Sequence, residues 1–132
     1  MKIHQKIRGV IESAECKALA TCGVHGINVV PVSMVRVNDD TVWLFNFFMD
    51  KSVTNLKTDN SISLACWTEM TGVQIKATVE YVENGEKFDE AVAWAKTQNP
   101  NRIVRGLLIL SPTSIHDISP GGKYTKEELA IN

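Results

Sequence analysis

The sequence predicts a mainly β protein, a six-stranded antiparallel barrel with flanking helices. Its apolar segments are short, and most are rich in β-branched and aromatic residues. Tight turn signals, rather than helices, separate most of these segments. Two internal segments with helical spacing are too few for the alternating strands and helices of a parallel α/β sheet. Six strands of this length fit a small antiparallel barrel better.

Size and charge limit the kind of protein further. A chain of 132 residues with 44% hydrophobic residues has enough apolar surface for one core, so we expect a single domain over residues 1–132. With a formal net charge of −1, no global field draws the chain to nucleic acid or to an anionic membrane. The longest apolar runs are far shorter than the roughly 20 residues that span a bilayer, and the first residues lack the apolar core of a signal peptide. We therefore expect a cytoplasmic protein without nucleic-acid or membrane partners.

The first half of the chain contains a helix and three of the predicted strands. Apolar residues from Ile3 to Ala14 recur at helical spacing, which predicts an amphipathic helix over one end of the core. Residues 17–22 and 27–37 flank a glycine-containing turn and predict a hairpin. Residues 41–47 predict the third strand, after a turn of Asn and Asp residues that tolerate left-handed backbone conformations.

The second half contains two helices and the other three strands. Residues 51–58 predict a short helix with Asp50 in the capping position, and residues 61–68 resume strand character. Residues 73–82 alternate most regularly, so that Val73 and its odd-numbered neighbours face the core while Gln74 faces away. The segment of residues 85–98 predicts a helix that ends at Asn99-Pro100. A sixth strand is predicted over residues 106–111 and extended by residues 114–118, followed by a turn and a polar tail or short helix.

Two of these strands, residues 27–37 and 41–49, are apolar on both faces. In a barrel one face fills the interior, so the other requires a cover, which a ligand, a helix or a second subunit can supply. A homodimer is the simplest cover.

Lys51 and Ser52 stand where the predicted short helix begins. The first amides of a helix have no intrahelical partner, and the helix dipole is positive there, so this position is suited to a phosphate group. Asn46 and Phe47 lie on the strand that leads into it. The alternative interpretation is a solvent-exposed lysine beside an ordinary Asp cap, and the carboxylate of Asp50 disfavours an anion unless it points away.

The order of several short motifs carries a resemblance. The motifs are A-L-A-T-C-G, V-V-P-V-S-M, a strand ending F-N-F-F, a lysine opening a helix that ends N-L-K-T-D-N, S-I-S-L-A-C-W, and G-V-Q-I-K-A-T-V-E-Y-V. In this order and spacing, over most of the chain, the sequence resembles the pyridoxamine 5′-phosphate oxidase-related family of FMN-binding split barrels. The resemblance implies a homodimer with two FMN molecules at the subunit interface.

The resemblance also implies a set of flavin-binding residues. The strand backbone would contact the edge of the flavin ring, two residues would lie along the ring and the ribityl chain, a basic side chain would meet the phosphate, and a glutamine would hydrogen-bond near the ring. Arg36 is a weaker candidate for a second cationic contact and could equally be an exposed strand residue. Val32, Ser33 and Met34 match the backbone contacts to the ring edge, and Asn46 and Phe47 match the residues along the ring and the ribityl chain. Lys51 with Ser52 matches the phosphate contact, and Gln74 matches the glutamine near the ring.

The function that follows from the resemblance is an FMN-dependent oxidoreductase in which the flavin carries the hydride or electrons. Its electron partner is a small molecule or a protein, and no side chain is assigned as catalytic. The alternative is a non-enzymatic flavin- or haem-binding module that carries or senses electrons. The chain lacks the two adjacent basic residues and the arginine- and histidine-bearing C-terminal segment of authentic pyridoxamine phosphate oxidases, which disfavours vitamin B6 oxidation. An oligonucleotide-binding barrel would need a basic face, which this near-neutral composition disfavours.

Cysteine and histidine residues do not indicate a metal site. The three cysteines are odd in number and contain no C-x-x-C pair, so neither a disulfide framework nor a zinc knuckle is expected. Cys66 lies in an apolar run and is predicted to be a buried small hydrophobe. His4, His25 and His116 fall in different predicted elements and lack any i,i+4 partner, so we expect no bound metal.

Overall fold

The structure, a computed structural model, describes residues 2–131. Over these residues the chain forms seven strands and four helices. The helices are α1 (Gln5–Ser13), α2 (Lys51–Leu56), α3 (Glu86–Gln98) and α4 (Lys126–Leu129). The strands are β1 (Cys16–Gly23), β2 (Gly26–Pro31), β3 (Val35–Asn38), β4 (Thr41–Asn46), β5 (Ser61–Thr68), β6 (Thr71–Val82) and β7 (Gly106–Asp117).

The strands form one antiparallel sheet in the order β2-β1-β5-β6-β7-β4-β3. Its two edge strands, β2 and β3, are consecutive in the chain and joined by residues 32–34. Four peptide units span at most about 14 Å, so the two edges of the sheet must lie close together. The sheet therefore curls into a barrel with an open seam, which confirms the predicted mainly β split barrel.

The predicted strand count was wrong by one, because the single strand expected over residues 27–37 is two strands. Pro31, the last residue of β2, has no N–H to donate to a ladder and belongs at a strand edge. After it the chain leaves β1, with Val32 N still donating to Lys17 O at 2.9 Å, and joins β4 as β3. At this break the chain crosses the barrel seam, from the β1 side of the sheet to the β4 side.

The last strand, in contrast, runs through its proline without a break. β7 pairs with β6 along its length, and the register shifts between Lys76 and Ala77, which oppose Ser114 and Pro112. Thr113 is the extra residue of this bulge, and its Oγ1 donates to Lys76 O at 3.1 Å. A bulge is one of the few sheet positions that tolerate a proline, so the two predicted segments of this strand join.

Buried aliphatic side chains from every strand except β2, including the alternate residues of β6, fill the barrel interior, and the half-buried Val30 of β2 packs against them. Val73 and Ile75 of that strand are fully buried, whereas Lys76 and Thr78 are exposed, as the alternation predicts. At one end, α1 contributes Ile7 and Ile11, which are both fully buried. The N-terminal helix therefore closes one end of the barrel, as its pattern predicts.

Helix α3 covers the outer face of β4. Trp43 and Phe45 point outward from β4 and pack with Ala91 and Ala95 of the helix, while the alternate β4 residues point into the barrel. For this strand the cover is thus a helix of the same chain, and not the second subunit that we took as the simplest cover. The outer face of β2 stays uncovered in the protomer, with Ile27 83% and Val29 62% exposed.

Candidate functional site

A cavity of about 590 Å³ opens beside the seam of the barrel. This volume lies within the range of about 300–1,000 Å³ that is usual for cofactor and small-molecule sites. Residues of β2, the seam, β4, the turn before α2 and the segment between α3 and β7 form its walls. Most of the wall is apolar and much of it is aromatic, from Val30, Pro31, Val32, Phe45, Phe47, Phe48 and Met49.

Charged side chains reach this cavity from two sides. Lys51, the first residue of α2, is exposed at the rim, and Arg102 lines the wall formed by the segment after α3. The guanidinium carbon of Arg102 lies 5.0 Å from the centroid of the Phe47 ring. Asp50 is the single carboxylate in the described lining, and it occupies the N-cap position of α2 without a side-chain capping hydrogen bond. Two cations against one carboxylate favour an anionic ligand.

Helix α2 is only six residues long, and buried hydrogen bonds hold it against the β1–β2 hairpin. Asn55 is fully buried; its Nδ2 donates to Thr21 Oγ1 and to Gly26 O, both at 3.1 Å, and its Oδ1 accepts from His25 N at 2.9 Å. Ser52 is also fully buried, and its Oγ accepts from Asn28 Nδ2 at 3.1 Å. These bonds fix the start of the helix, and therefore Lys51, at the mouth of the cavity.

The turn between β4 and α2 is held by Asn46. This residue is 2% exposed; its Oδ1 accepts from Met49 N at 2.7 Å, and its Nδ2 donates to the Tyr81 hydroxyl at 2.9 Å. Burial raises the pKa of Tyr81, and the hydrogen bond from Asn46 opposes that rise. A Cβ on Gly106 would overlap the Tyr81 hydroxyl, so only glycine leaves room for this contact. Asn46 thus positions Phe47, Phe48 and Met49 along the wall.

The nine flavin-site residues taken from the resemblance fall into four groups, of which the last, Arg36 and Gln74, lies outside the cavity lining. Val32, Ser33, Phe47 and Lys51 line the cavity. Met34 lies next to it, in a second cavity that shares Ser33 and Arg102 with the first. Asn46 and Ser52 are buried behind the lining, where they hold the turn and the helix.

Arg36 and Gln74 lie outside the cavity lining. The guanidinium of Arg36 is 5.5 Å from the Trp43 ring and 5.3 Å from the Trp94 ring, and it pairs with Glu90 at 3.5 Å. Its contacts join β3 to α3. Gln74 Nε2 donates to Ser63 Oγ at 2.8 Å on the outer face of β5 and β6.

The register shows how far Gln74 is from the seam. Pro31, Ala18, Ala65 and Gln74 stand side by side on four neighbouring strands. Three strand spacings of about 4.8 Å separate Gln74 from Pro31 by about 14 Å. Gln74 of the same protomer is therefore remote from the cavity.

Sequence reasoning missed Arg102 and Asn28. Arg102 follows the Asn99-Pro100 helix stop in an irregular segment, where no periodicity gives its side chain a direction. Asn28 lies on β2 next to exposed apolar residues and reads as an ordinary strand residue. Their positions depend on how α2, β2 and the segment before β7 meet in space. The one available signal was the pair of arginines, Arg102 and Arg105, just before a buried strand.

Within residues 2–131 no helix is both long enough and apolar enough to cross a membrane. The same residues contain no group of three or more His, Cys, Asp and Glu side chains arranged to hold a metal ion.

The fold and the cavity together define a class of protein, the split antiparallel barrels with a ligand-sized cavity at the seam. The sequence model of the pyridoxamine 5′-phosphate oxidase family matches residues 3–119, which is most of the chain. The chain therefore belongs to the pyridoxamine 5′-phosphate oxidase family. No curated protein is significantly similar to it in sequence.

Several solved structures share the fold. HupZ of Group A Streptococcus is 20% identical, covers 93% of this chain and 99% of its own, and superposes with a TM-score of 0.79. An FMN-binding protein from Syntrophomonas wolfei is 20% identical over 89% of this chain and 86% of its own, with a TM-score of 0.77. HutZ, the haem storage protein of Vibrio cholerae, is 14% identical over 89% of this chain and 96% of its own, with a TM-score of 0.69. At these identities the likeness establishes the fold alone.

Proposed function

We propose that this protein binds FMN in the seam cavity and acts as a flavin-dependent oxidoreductase. The observation that carries the proposal is Lys51 at the rim of a cavity with aromatic walls, in a chain of this family. A flavin mononucleotide has a flat apolar ring system at one end and a phosphate at the other. The cavity offers the corresponding surfaces, because Phe45 and Phe47 line its wall and a lysine stands at its rim.

Lys51 is the residue that we assign to the phosphate. Its ammonium is exposed and free to rotate toward an anion, and Asn28, which also lines the cavity, is already oriented by its bond to Ser52. Asp50 is exposed and uncapped, so its carboxylate can turn to solvent. Charge-assisted contacts of this kind are stronger than neutral hydrogen bonds.

The ring end of the flavin belongs, in this proposal, with Val32, Ser33 and Arg102. Val32 and Ser33 lie in the seam segment; the amide of Val32 already donates to Lys17 O, whereas the backbone of Ser33 lies outside the strands and can donate to a ring edge. Arg102 adds a cation near that edge. The bound flavin would supply the electron or hydride transfer, and these residues would bind it, orient it and exclude water.

We further propose that the protein is a homodimer. The exposed Ile27 and Val29 of β2 adjoin the small outward residues Ala18 and Ala20 of β1, which together make a flat apolar face suited to a second copy. A second copy is also the route by which Gln74 would reach a flavin, since within one protomer it is remote from the cavity. The electron partner would be a small molecule or a protein, and a cytoplasmic location is the expectation from the sequence.

The test of the binding site compares two lysine variants. Lys51→Ala should weaken FMN binding about tenfold, because hydrogen bonds to charged groups contribute about 1.5–3 kcal/mol and 1.4 kcal/mol is a factor of ten. Lys57→Ala, at the C-cap of the same helix, should bind FMN as the wild type does. Quenching of FMN fluorescence measures both affinities. Equal affinities of the two variants would count against the site.

Activity and assembly need separate measurements. Oxidation of NAD(P)H by the FMN-loaded protein distinguishes an enzyme from a flavin carrier, which would bind FMN without turnover.

Light scattering measures the mass of the protein in solution. Ile27→Asp should convert a dimer to a monomer, because the subunit contact would otherwise bury an unpaired charge. Ile103→Asp, also at an exposed isoleucine, is the matched control. A wild-type monomer that binds FMN fully would exclude the dimeric part of the proposal.

Haem binding is a second candidate function, in which His116, exposed on the outer face of the sheet, would be the iron ligand. His116 lies on the outer face of β7 beside Gln74, and its Nε2 lies 2.9 Å from Ser114 Oγ. Histidine is a common axial ligand of haem iron. Titration with haem should then give a Soret shift that His116→Ala removes and His25→Ala keeps. Wild-type protein without such a shift would leave flavin binding as the function.

A further inference from the structure

A second cavity, of about 360 Å³, lies beside the first at the side of Ser33 and Arg102. It forms where the C-terminal ends of α1 and α3 meet the seam of the barrel. Unlike the seam cavity, it has mainly polar and charged walls, and Lys51 is not part of its lining. Its chemistry is set by Glu12, Lys17, Gln98, Asn99 and Arg102, together with Trp94.

The charges of this second cavity favour an anion. Lys17 is half-buried, and its Nζ donates to Ala14 O at 2.7 Å, which holds the ammonium near the C-terminal end of α1. Arg102 supplies a second cation from the shared wall. The single carboxylate in the lining, Glu12, already accepts from Arg8 Nε at 3.3 Å, so its charge is countered by that arginine. Two cations therefore face a site whose own carboxylate is paired.

An aromatic wall adds a preference for a planar ligand. Trp94 lines the second cavity and stacks on Phe45, which lines the first, at a centroid distance of 5.4 Å and an interplanar angle of 22°. Arg36 lies 5.3 Å from the Trp94 ring and is paired with Glu90. Stacked aromatic and guanidinium groups of this kind hold a ring in one orientation, so that Trp94 is a fixed surface.

We infer that the second cavity binds a small planar carboxylate, with Lys17 and Arg102 at the carboxylate and Trp94 beside the ring. The anion site follows from the cavity alone, whereas its role as the substrate subsite rests on the proposed flavin function. Because Ser33 and Arg102 line both cavities, a molecule bound there would adjoin the ring end of the flavin. A planar aromatic or conjugated carboxylate is thus the ligand class of this subsite.

The test is calorimetric titration with benzoate and with its neutral analogue benzamide, on flavin-free and on FMN-loaded protein. Benzoate should bind both forms about tenfold more tightly than benzamide, a difference of about 1.4 kcal/mol. Lys17→Met should remove that preference and leave FMN affinity unchanged, since Lys17 does not line the flavin cavity. Lys76→Met, at an exposed strand lysine, is the matched control. In flavin-free protein, Lys51→Ala should bind benzoate as the wild type does.

The outcomes separate this inference from the proposed function. Equal binding of benzoate and benzamide by the wild type would overturn the anion site, even if FMN binds as proposed. Loss of benzoate binding in Lys51→Ala but not in Lys17→Met would also overturn it, because benzoate would then occupy the flavin cavity. The protein could also fail to bind FMN and still prefer benzoate over benzamide in a way that depends on Lys17. That result would support the anion site and reject the flavin function.

Discussion

Arg102 and Phe47 meet across the wall of the seam cavity, with the guanidinium carbon 5.0 Å from the ring centroid. The backbone amide of Arg102 donates to Asn99 O at 3.2 Å, so the turn that ends α3 sets the direction of this side chain. Phe47 is 6% exposed and continues β4. The contact joins the segment before β7 to the strand that leads into α2, and Arg102 lines both the seam cavity and the second cavity.

We expect Arg102→Ala to weaken FMN binding about tenfold, because the variant removes a cation and one wall of the cavity. The matched control is Arg105→Ala, since Arg105 is exposed and contacts Asn46 through its backbone, which the substitution keeps. A fluorescence titration with FMN measures both. If the Arg102 and Arg105 variants bind FMN alike, Arg102 is not part of the flavin site.

Replacing Asn55 by alanine should lower the free energy of unfolding by about 3 kcal/mol, because buried partners of its amide lose their hydrogen bonds. These partners are Thr21 Oγ1, Gly26 O and His25 N. Urea unfolding followed by tryptophan fluorescence measures the change. Asn60→Ala, at an exposed asparagine, should be nearly neutral. Equal unfolding midpoints for the two variants would mean that these bonds do not hold α2.

Asp117 should stabilise the segment that follows β7 in a pH-dependent way. Partial burial opposes ionisation, but backbone amides of Lys123, Tyr124 and Ser119 donate to the carboxylate and lower the pKa of Asp117 to about 2. The folded pKa is below the unfolded value of about 3.9, so the stabilisation is complete above about pH 4 and is lost as the pH falls through about 2. Solvent screening limits it to about 1 kcal/mol.

The measurement for Asp117 is the urea midpoint of Asp117→Asn against wild type at several pH values. The variant should be less stable at pH 7, and the difference should shrink as the pH approaches 2. Asp40→Asn, at an exposed turn residue, provides the control. A difference that stays constant from neutral to acidic pH would show that ionisation of Asp117 is not its source.

Cys66 should be unreactive in the native protein. Burial raises the pKa of the Cys66 thiol to about 12, although Lys17 acts against this rise, and the residue has no exposed surface. Because the thiolate is the reactive form, a Cys16→Ser/Cys22→Ser variant should react with Ellman's reagent only after unfolding. A Cys22→Ser/Cys66→Ala variant keeps the exposed Cys16 and should react at once. Native Cys66 that reacts as fast as Cys16 would contradict this packing.

The local sequence pattern predicted side-chain directions correctly in elements that bury only one side. The regular alternation of β6 predicted both its buried residues and the outward direction of Gln74, because a strand repeats every two residues. Lys51 was expected at the start of α2, and it is the first residue of that helix. Asp50 is the N-cap of α2 as predicted, although its side chain makes no capping bond. Pattern failed at Pro31, where a continuous apolar run conceals the crossing of the seam.

The sequence by itself determined the class of fold, the family and the residues at the start of α2, because these follow from short-range periodicity and from the order of motifs. Only the tertiary structure decided that α3 covers β4, that Arg102 meets Phe47, and that Arg36 belongs to an aromatic contact with Trp94. These contacts join residues far apart in the chain. They exist because the curled sheet brings its two edges together, and no local pattern encodes how the side chains at such a junction pack.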